Sequence, residues 1–448
     1  LVDISKEIDY SIVNPAKLPV ELQLDICQRC HIQGNAVLNP GKSFFDFRPA
    51  MKLSDVLNVF MPRYSGDNTM HIMASHAERL KMSRCFLATN KKLKNETLGA
   101  LFSSQQSLTC ITCHNPHVSV RVTDKNVFND ACKKCHVSPT SQIQNEKEMF
   151  SMLVCTEKPE ARNAKQDNCV SCHMPRNHTT DIPHVITTDH YIRKPLKEEM
   201  VKDIREFVGI VCINNPSPPN DVIAEGYLSY YEKFTPNPLA LDSAKKYLPD
   251  NSPEDVKTNF SLLVRWAFLK KDYKKVISYV QQCADVYSFL KKIKFNNNSA
   301  WTAYRIGESF NSLSDVENAL LYFSLAVKLE PYNPEFRNKL GALQLSLKKI
   351  KDAFKNFSFI YHENPNYVPA LTNLGYYSLT IEGNPERAES YYRSALQLDP
   401  DNEQAMLNMA GLYIFRKNLK EAKRMLEVLL RKYPGNLQAQ QVMTQLNL

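Results

Sequence analysis

Along the second half of the chain, apolar positions recur every three or four residues in short blocks, the spacing of helices with one buried face. A longer period runs through these blocks. Pro331, Pro365, Pro400 and Pro434 lie 34, 35 and 34 residues apart. Ten residues after the first three stand Gly341, Gly375 and Ala410, and Gly307 fills the same place one unit earlier. Twelve residues before the four prolines stand Ala319, Ala353, Ala388 and Ala422, and eight before them Phe323, Phe357, Tyr392 and Leu426. Such a period predicts stacked helix pairs that share a continuous core, each pair unable to bury its apolar face alone. Residues 253–285 read as a degenerate earlier pair, with Val264, Ala267 and Val276 at the matching places and a nine-residue insertion after it. The stretch 219–247 is a further candidate pair, and a capping helix is expected from about 436.

The first half has a different pattern. Up to about residue 193 the apolar positions are irregular and broken by short polar stretches and prolines. One helix is predicted over Thr69–Lys81, with Met70, Met73, Ala77 and Leu80 on related faces. Another is predicted over 194–211, where Leu196, Met200, Ile204, Phe207 and Val211 fall at helical spacing before INNPSPPN at 213–220 breaks the pattern. The domain boundary is therefore placed at 212/213, giving domains 1–212 and 213–448. Over 300–436 the positions quoted above resemble the tetratricopeptide repeat, in which small residues let two antiparallel helices touch and large ones fill the gap to the next pair.

Candidate chemistry is confined to the first half. It writes Cys-x-x-Cys-His four times: Cys27/Cys30/His31, Cys110/Cys113/His114, Cys132/Cys135/His136 and Cys169/Cys172/His173. This is the attachment signature of haem c, in which two thiols hold one porphyrin and the histidine that follows is the proximal iron ligand. Zinc ribbons and thioredoxin-like motifs also use Cys-x-x-Cys, but four copies with His directly after the second Cys favour haem. At least four haems c and their iron are thus the expected cofactors. Ten of the eleven histidines lie in this half. Beyond the proximal four these are His71, His76, His117, His178, His184 and His190, enough to close the second axial position of every iron. His117, three residues after His114, cannot easily reach the far face of its own haem and is expected to serve a neighbour.

The strings LTCITCHNPH, CKKCH and NCVSCHMP, with the later PHV and TDHYI, resemble the doubled-CxxCH multihaem cytochromes that carry a tetratricopeptide tail. That group is related to nitrite reductases and hydroxylamine oxidoreductases. The resemblance implies His76, His117, His184 and His190 as the distal ligands. It also implies export to the periplasm or extracellular space, where haem c is attached, and further haem motifs N-terminal to the opening LVDISKEIDY. The expected fold is mainly α: a haem-packed, irregular and helical cytochrome domain followed by an α-solenoid. In the oxidising space that export implies, Cys85 and Cys155 are the first candidates for a disulfide, against free thiols.

Composition changes little in this picture. The 448 residues hold 43% hydrophobic and 23% charged residues, ordinary for a globular chain, and no run is long and apolar enough to span a membrane. The formal charge of +9 is scattered rather than gathered into a basic arm. Haem propionates would offset most of it, so nucleic acid is not an expected partner. Two functions compete. One is electron transfer to redox partner proteins, with a partner docked on the repeats near Tyr376, Tyr377, Tyr391 and Arg393. The other, implied by the same resemblance, is an oxidoreductase with one open-site haem, for which His31 is the proximal ligand to watch.

Overall fold

The first half combines short helices with two small sheets. The computed structural model describes residues 13–66, 75–90, 107–136, 155, 157–179, 184–194, 206–283, 285–292 and 297–445. The chain divides into two units, Leu1–Leu248 and Pro249–Leu448. In the first, β1 (Asn35–Leu38), β2 (Leu57–Tyr64) and a later strand, Phe207–Cys212, form an antiparallel sheet with β2 at its centre. Between β2 and that last strand, β3 (Arg176–His178) and β4 (Ile186–Thr188) form a separate two-stranded ladder, so Phe207–Cys212 is β5.

The helix expected over 194–211 is corrected by β5. Residues 195–205 lie outside the described residues, but 207–212 are paired with β2 from Tyr64↔Phe207 to Phe60↔Cys212. Val208, Ile210 and Val211 are β-branched and pack better on a pleated surface than in a helix. Burial alternates with a period of two, Phe207 inward and Val208 64% exposed. Gly209 sits at φ +149, a conformation that strains any other residue, and the Tyr227 hydroxyl lies 3.0 Å from where a Cβ would stand.

Short helices surround this sheet: α1 (Val20–His31), α2 (His76–Lys81), α3 (Arg84–Thr89), α4 (Cys110–Cys113), α5 (Lys125–Lys133), α6 (Pro159–Ala164) and α7 (Cys169–His173). The described part of the helix expected over Thr69–Lys81 begins only at His76, and 67–74 lie outside the described residues. The unit ends in the hairpin α8 (Asn220–Lys233) and α9 (Pro238–Lys245). Helix α8 lies against the sheet at Gly226, where a Cβ would meet the Phe60 ring at 2.9 Å. The buried Asn35 side chain donates to the Gly226 carbonyl at 2.7 Å and fixes that contact.

Helix pairs fill the second unit, while the candidate pair at 219–247 falls in the first. The second unit opens with α10 (Pro253–Thr258), α11 (Phe260–Leu269), α12 (Tyr273–Gln282) and α13 (Val286–Lys292). Val264, Ala267 and Val276, assigned to a degenerate repeat, are fully buried. Four regular pairs follow: α14 (Asn297–Ser312) with α15 (Val316–Leu329), α16 (Pro334–Ser346) with α17 (Ile350–Glu363), α18 (Val368–Thr380) with α19 (Pro385–Leu398), and α20 (Glu403–Phe415) with α21 (Leu419–Lys432). Helix α22 (Leu437–Gln445) covers the last pair, its Ala439 packed with Leu426 and Leu429.

Within three of these pairs one contact recurs. A Cβ on Gly307 or Gly341 would stand 2.8 or 2.7 Å from the ring of Phe323 or Phe357, and one on Gly375 would press closer still on the ring of Tyr392. The glycine therefore sets how closely the two helices approach, and the buried ring fills the space its missing side chain leaves. Asn and Asp side chains cap the following helices: Asp315, Asn333, Asn384, Asn402 and Asn418 each accept from a first-turn amide. A second periodic feature escaped the sequence reading. Ser314, Lys348, Gly383 and Lys417 all adopt left-handed backbone, spaced 34, 35 and 34 residues apart, at the turn inside each pair.

Gly375→Ala is expected to destabilise the full chain by about 1–3 kcal/mol, because the fully buried Tyr392 ring cannot move aside. Gly411→Ala, on the next pair with nothing within 4 Å of its Cβ position, is expected to stabilise by about 0.5–1 kcal/mol. Chemical denaturation of both variants checks the opposite signs; equal effects would contradict this packing.

Candidate functional site

All four Cys-x-x-Cys-His segments fall on short helical turns. Cys27, Cys30 and His31 form the last turn of α1; Cys110 and Cys113 bound α4, with His114 as its C-cap. Cys132 lies near the end of α5, with Cys135 and His136 just beyond it. Cys169, Cys172 and His173 all lie on α7, the two thiols one turn apart and both half-buried. A helical turn puts residues three apart on one face, so each thiol pair is presented together. These turns are too short to persist alone and are held by side chains. Thr109 and Thr112 form a reciprocal capping box on α4, and Asn168 caps α7 by accepting from Ser171 N at 3.1 Å. Asn129 of α5 accepts from Cys169 N at 3.0 Å, tying the fourth segment to the helix that carries the third.

The first segment is isolated in sequence but not in space. The Cys27 and Cys110 thiols share a hydrogen bond, which lowers Cys27 to about 7 and pushes Cys110 up, with burial adding to the rise. Burial raises Cys132 to about 12, with Cys169 beside it. No disulfide joins Cys85 to Cys155, the pairing considered for an oxidising space.

Four imidazoles converge in a row. The His31 and His76 ring centroids are 6.1 Å apart, those of His76 and His190 4.3 Å, and those of His190 and His114 6.2 Å. His76 opens α2, while His190 follows β4 and is largely buried; burial lowers its pKa, and that of His114. His190 Nδ1 donates to the Thr188 carbonyl at 3.0 Å, and His173 Nδ1 to the Arg193 carbonyl at 2.9 Å. In both rings Nδ1 is engaged by a backbone carbonyl, the arrangement that orients a ligating histidine through Nε2. The remaining assigned histidines are not in this row. His117 and His136 are exposed, and His184 is exposed on the turn between β3 and β4 with left-handed backbone at φ +64. His178 is exposed on β3, and His71 lies outside the described residues.

Sequence reasoning missed the residues that hold this row together. Arg79, one turn after His76, makes a two-pronged ion pair with Asp189, the residue before His190: Nε to Oδ1 at 2.8 Å and Nη2 to Oδ2 at 2.7 Å. The side chains are 3% and 0% exposed. Removing one partner of such a pair strands a buried charge at a cost of about 3–5 kcal/mol. Asp189 Oδ1 also accepts from Tyr191 N at 2.9 Å. The Ser83 hydroxyl donates to the His190 carbonyl at 3.2 Å and accepts from Ile192 N at 2.9 Å. The two segments are 110 residues apart, and no local pattern marks them as partners.

On the repeats, the positions assigned to a partner surface divide. Tyr376 is 45% exposed, but Tyr377 stacks on Phe354 at 4.7 Å and Tyr391 meets Tyr361 edge-on at 5.6 Å. Arg393 pairs with Glu389 at 2.6 Å, and Glu389 also pairs with Arg416. Tyr332, Pro334, Phe359, Ile360, Glu363 and Asn364 line a shallow cleft of about 290 Å³.

Residues 379–446 match the tetratricopeptide repeat family model. Together with the helix pairs and their glycine–ring contacts, this makes the second unit a tetratricopeptide repeat domain. The chain is 33% identical over 115 residues to Protein CTR9 homolog from Arabidopsis thaliana, covering 25% of this chain and 10% of that protein. It is 24% identical over 156 residues to Protein O-mannosyl-transferase TMTC3 from Homo sapiens, covering 32% and 17%. The chain thus spans only a small part of the length of these curated relatives. Among solved structures it resembles the Pseudomonas aeruginosa pilF protein (TM-score 0.38, 18% identity, covering 51% of this chain and 97% of that one). It also resembles the MamA protein (TM-score 0.32, 16% identity, 40% and 92%).

The family match and the curated relatives correct one expectation. They point to repeat proteins and carry no cytochrome or haem indication, so the classification as a metal-binding multihaem cytochrome does not follow from them. Among the described residues, moreover, no group of three or more His, Cys, Asp or Glu side chains could hold a metal ion. Cys169, Cys172 and His173 share one short helix yet form no such group, and the same holds for the three motifs before them. Each motif spreads its donors along a turn instead of closing them around one point, so the metal-binding site expected of the chain is not a cluster of its own side chains.

In the haem-free chain at neutral pH, iodoacetamide is expected to label Cys27 at least about tenfold faster than Cys132, because only the thiolate reacts. Peptide mapping of a time course checks this; equal rates would count against the shared Cys27–Cys110 hydrogen bond.

Proposed function

We propose that the protein carries electrons through covalently attached haems c and docks a protein partner with its repeat unit. The observation that carries the first part is the pair of imidazole separations, 6.1 Å for His31–His76 and 6.2 Å for His114–His190. Two imidazoles bound to one metal from opposite sides, each through a bond of about 2 Å, have centroids about 6 Å apart. The donor set thus fits haem, whose porphyrin supplies four of the six iron ligands and asks the chain for two. A chain without a three-ligand cluster can meet that demand.

On this reading Cys27/Cys30, Cys110/Cys113, Cys132/Cys135 and Cys169/Cys172 attach at least four haems. His31, His114, His136 and His173 are proximal ligands. His76 is distal to the first segment's haem and His190 to the second's. His117 and His184 are left to the other two, as the family resemblance implies. The group supplies one-electron redox chemistry at the iron. The chain's own work would be to hold two axial imidazoles at each iron, with Nδ1 of His190 and His173 engaged by backbone carbonyls, which leaves no position for a substrate. His76, at 6.1 Å from His31, supports a closed rather than an open site there. Haem c attachment follows export, so the protein is assigned to the periplasm or extracellular space.

The docking role rests on the repeat domain, since tetratricopeptide solenoids present extended surfaces to protein partners. A redox partner is the reading that joins the two units' roles.

Denaturing mass spectrometry of the full chain, expressed with export and haem attachment, is expected to show four covalent haems. Replacing both cysteines of any one motif by Ser is expected to remove one. Electron paramagnetic resonance of the oxidised protein is expected to show low-spin iron. A chain that leaves this system without haem would overturn the reading, and one cyanide-binding high-spin iron would replace the carrier with the oxidoreductase.

A further inference from the structure

Two histidines from distant parts of the chain have touching rings, and nothing in their own segments accounts for the register. Helix α2 has only six residues, and the stretch 188–193 is not helical. What joins them is the buried pair between Arg79 and Asp189. Arg79 stands three residues after His76, on the same side of α2. Asp189 is covalently adjacent to His190. Locking the guanidinium fork onto the carboxylate therefore fixes the distance and roll between the two imidazoles, which sit 4.3 Å apart at 42°.

We propose that the Arg79–Asp189 pair is the positioning device that holds His76 and His190 at the distal sides of two neighbouring haems. The inference rests on the haem reading above. Four features beyond proximity favour it. The contact uses both prongs of the guanidinium, which fixes orientation as well as distance, where a lysine would act only as a point charge. Asp189 is also fixed from its own side, by the amide of Tyr191, so its carboxylate cannot swing without moving the backbone beside His190. The Tyr191 ring, with Arg79 at 5.3 Å and Arg193 at 4.9 Å, closes the other side of the pair. Ser83, on the turn after α2, adds a parallel tie to the backbone of His190 and Ile192. Arg79 and Asp189 touch no iron on this reading. They act through the two imidazoles.

Two variants of the full, haem-loaded chain test the device. Arg79→Lys keeps the charge but loses the fork, and the double variant Arg79→Met/Asp189→Leu removes both charges together, so that neither is left buried alone. Both are expected to keep the wild-type haem count by mass spectrometry, because attachment depends on the cysteines. In both, ferric iron is expected to pass from low to high spin, by up to two haems per chain. Added imidazole is expected to restore the low-spin spectrum by replacing a displaced ligand. A structural role alone would lower the melting temperature without changing spin state or imidazole response. Variants with full haem count and an unchanged low-spin spectrum would overturn the positioning role and leave the haem reading intact. A wild-type chain without haem would overturn that reading and this inference with it.

Discussion

A charge pair shut away from water decides how the first unit can be arranged. With Arg79 and Asp189 both removed from solvent, neither charge can be tolerated without the other, so the chain near residue 80 and the chain near residue 190 must meet in one geometry. Non-polar contacts around it are modest: Leu24, Leu80 and Phe86 form a small cluster with Ile192 and Cys110 at its edge. Such a cluster can bring segments together, but it specifies direction weakly. The forked ion pair and the Ser83 hydroxyl supply that direction. The four-histidine row is a consequence of this meeting rather than its cause.

The second unit solves a similar problem by repetition. Its helices approach closely wherever a glycine faces a ring, and that contact joins the two helices of one pair. Order there comes from many equivalent local choices, and each pair needs only its neighbours. In the first unit, order depends on a few unrepeated long-range ties. The same contrast separates chemistry from scaffold, since the histidines and most cysteines lie where the structure is held by specific polar contacts.

This contrast also explains what could be read from residues alone. The repeats were legible because Gly307, Gly341 and Gly375 and their ring partners recur in register, and every recurrence strengthens the assignment. The four cysteine–histidine segments were legible because their signature is local. Strand β5 was misread because Phe207 and Val211 satisfy helical spacing by coincidence; the β-branched run and Gly209 were the better signals. The same sheet could not be anticipated, since β2 finds its partner far along the chain. His76 and His190 were singled out only through a family resemblance, as were His117 and His184, which the fold leaves exposed and outside the row. Nothing in sequence pairs Arg79 with Asp189, because that choice is made by tertiary packing.

The left-handed turn residues of the solenoid have a consequence of their own. Lys271, Lys348 and Lys417 occupy the same turn in different helix pairs, and all three are exposed. Ser314 and Gly383 hold the other two equivalent turns, so lysine stands at three of the five. Glycine adopts this backbone most easily, so the three lysines accept a conformational cost and place a charge at the surface of the turn.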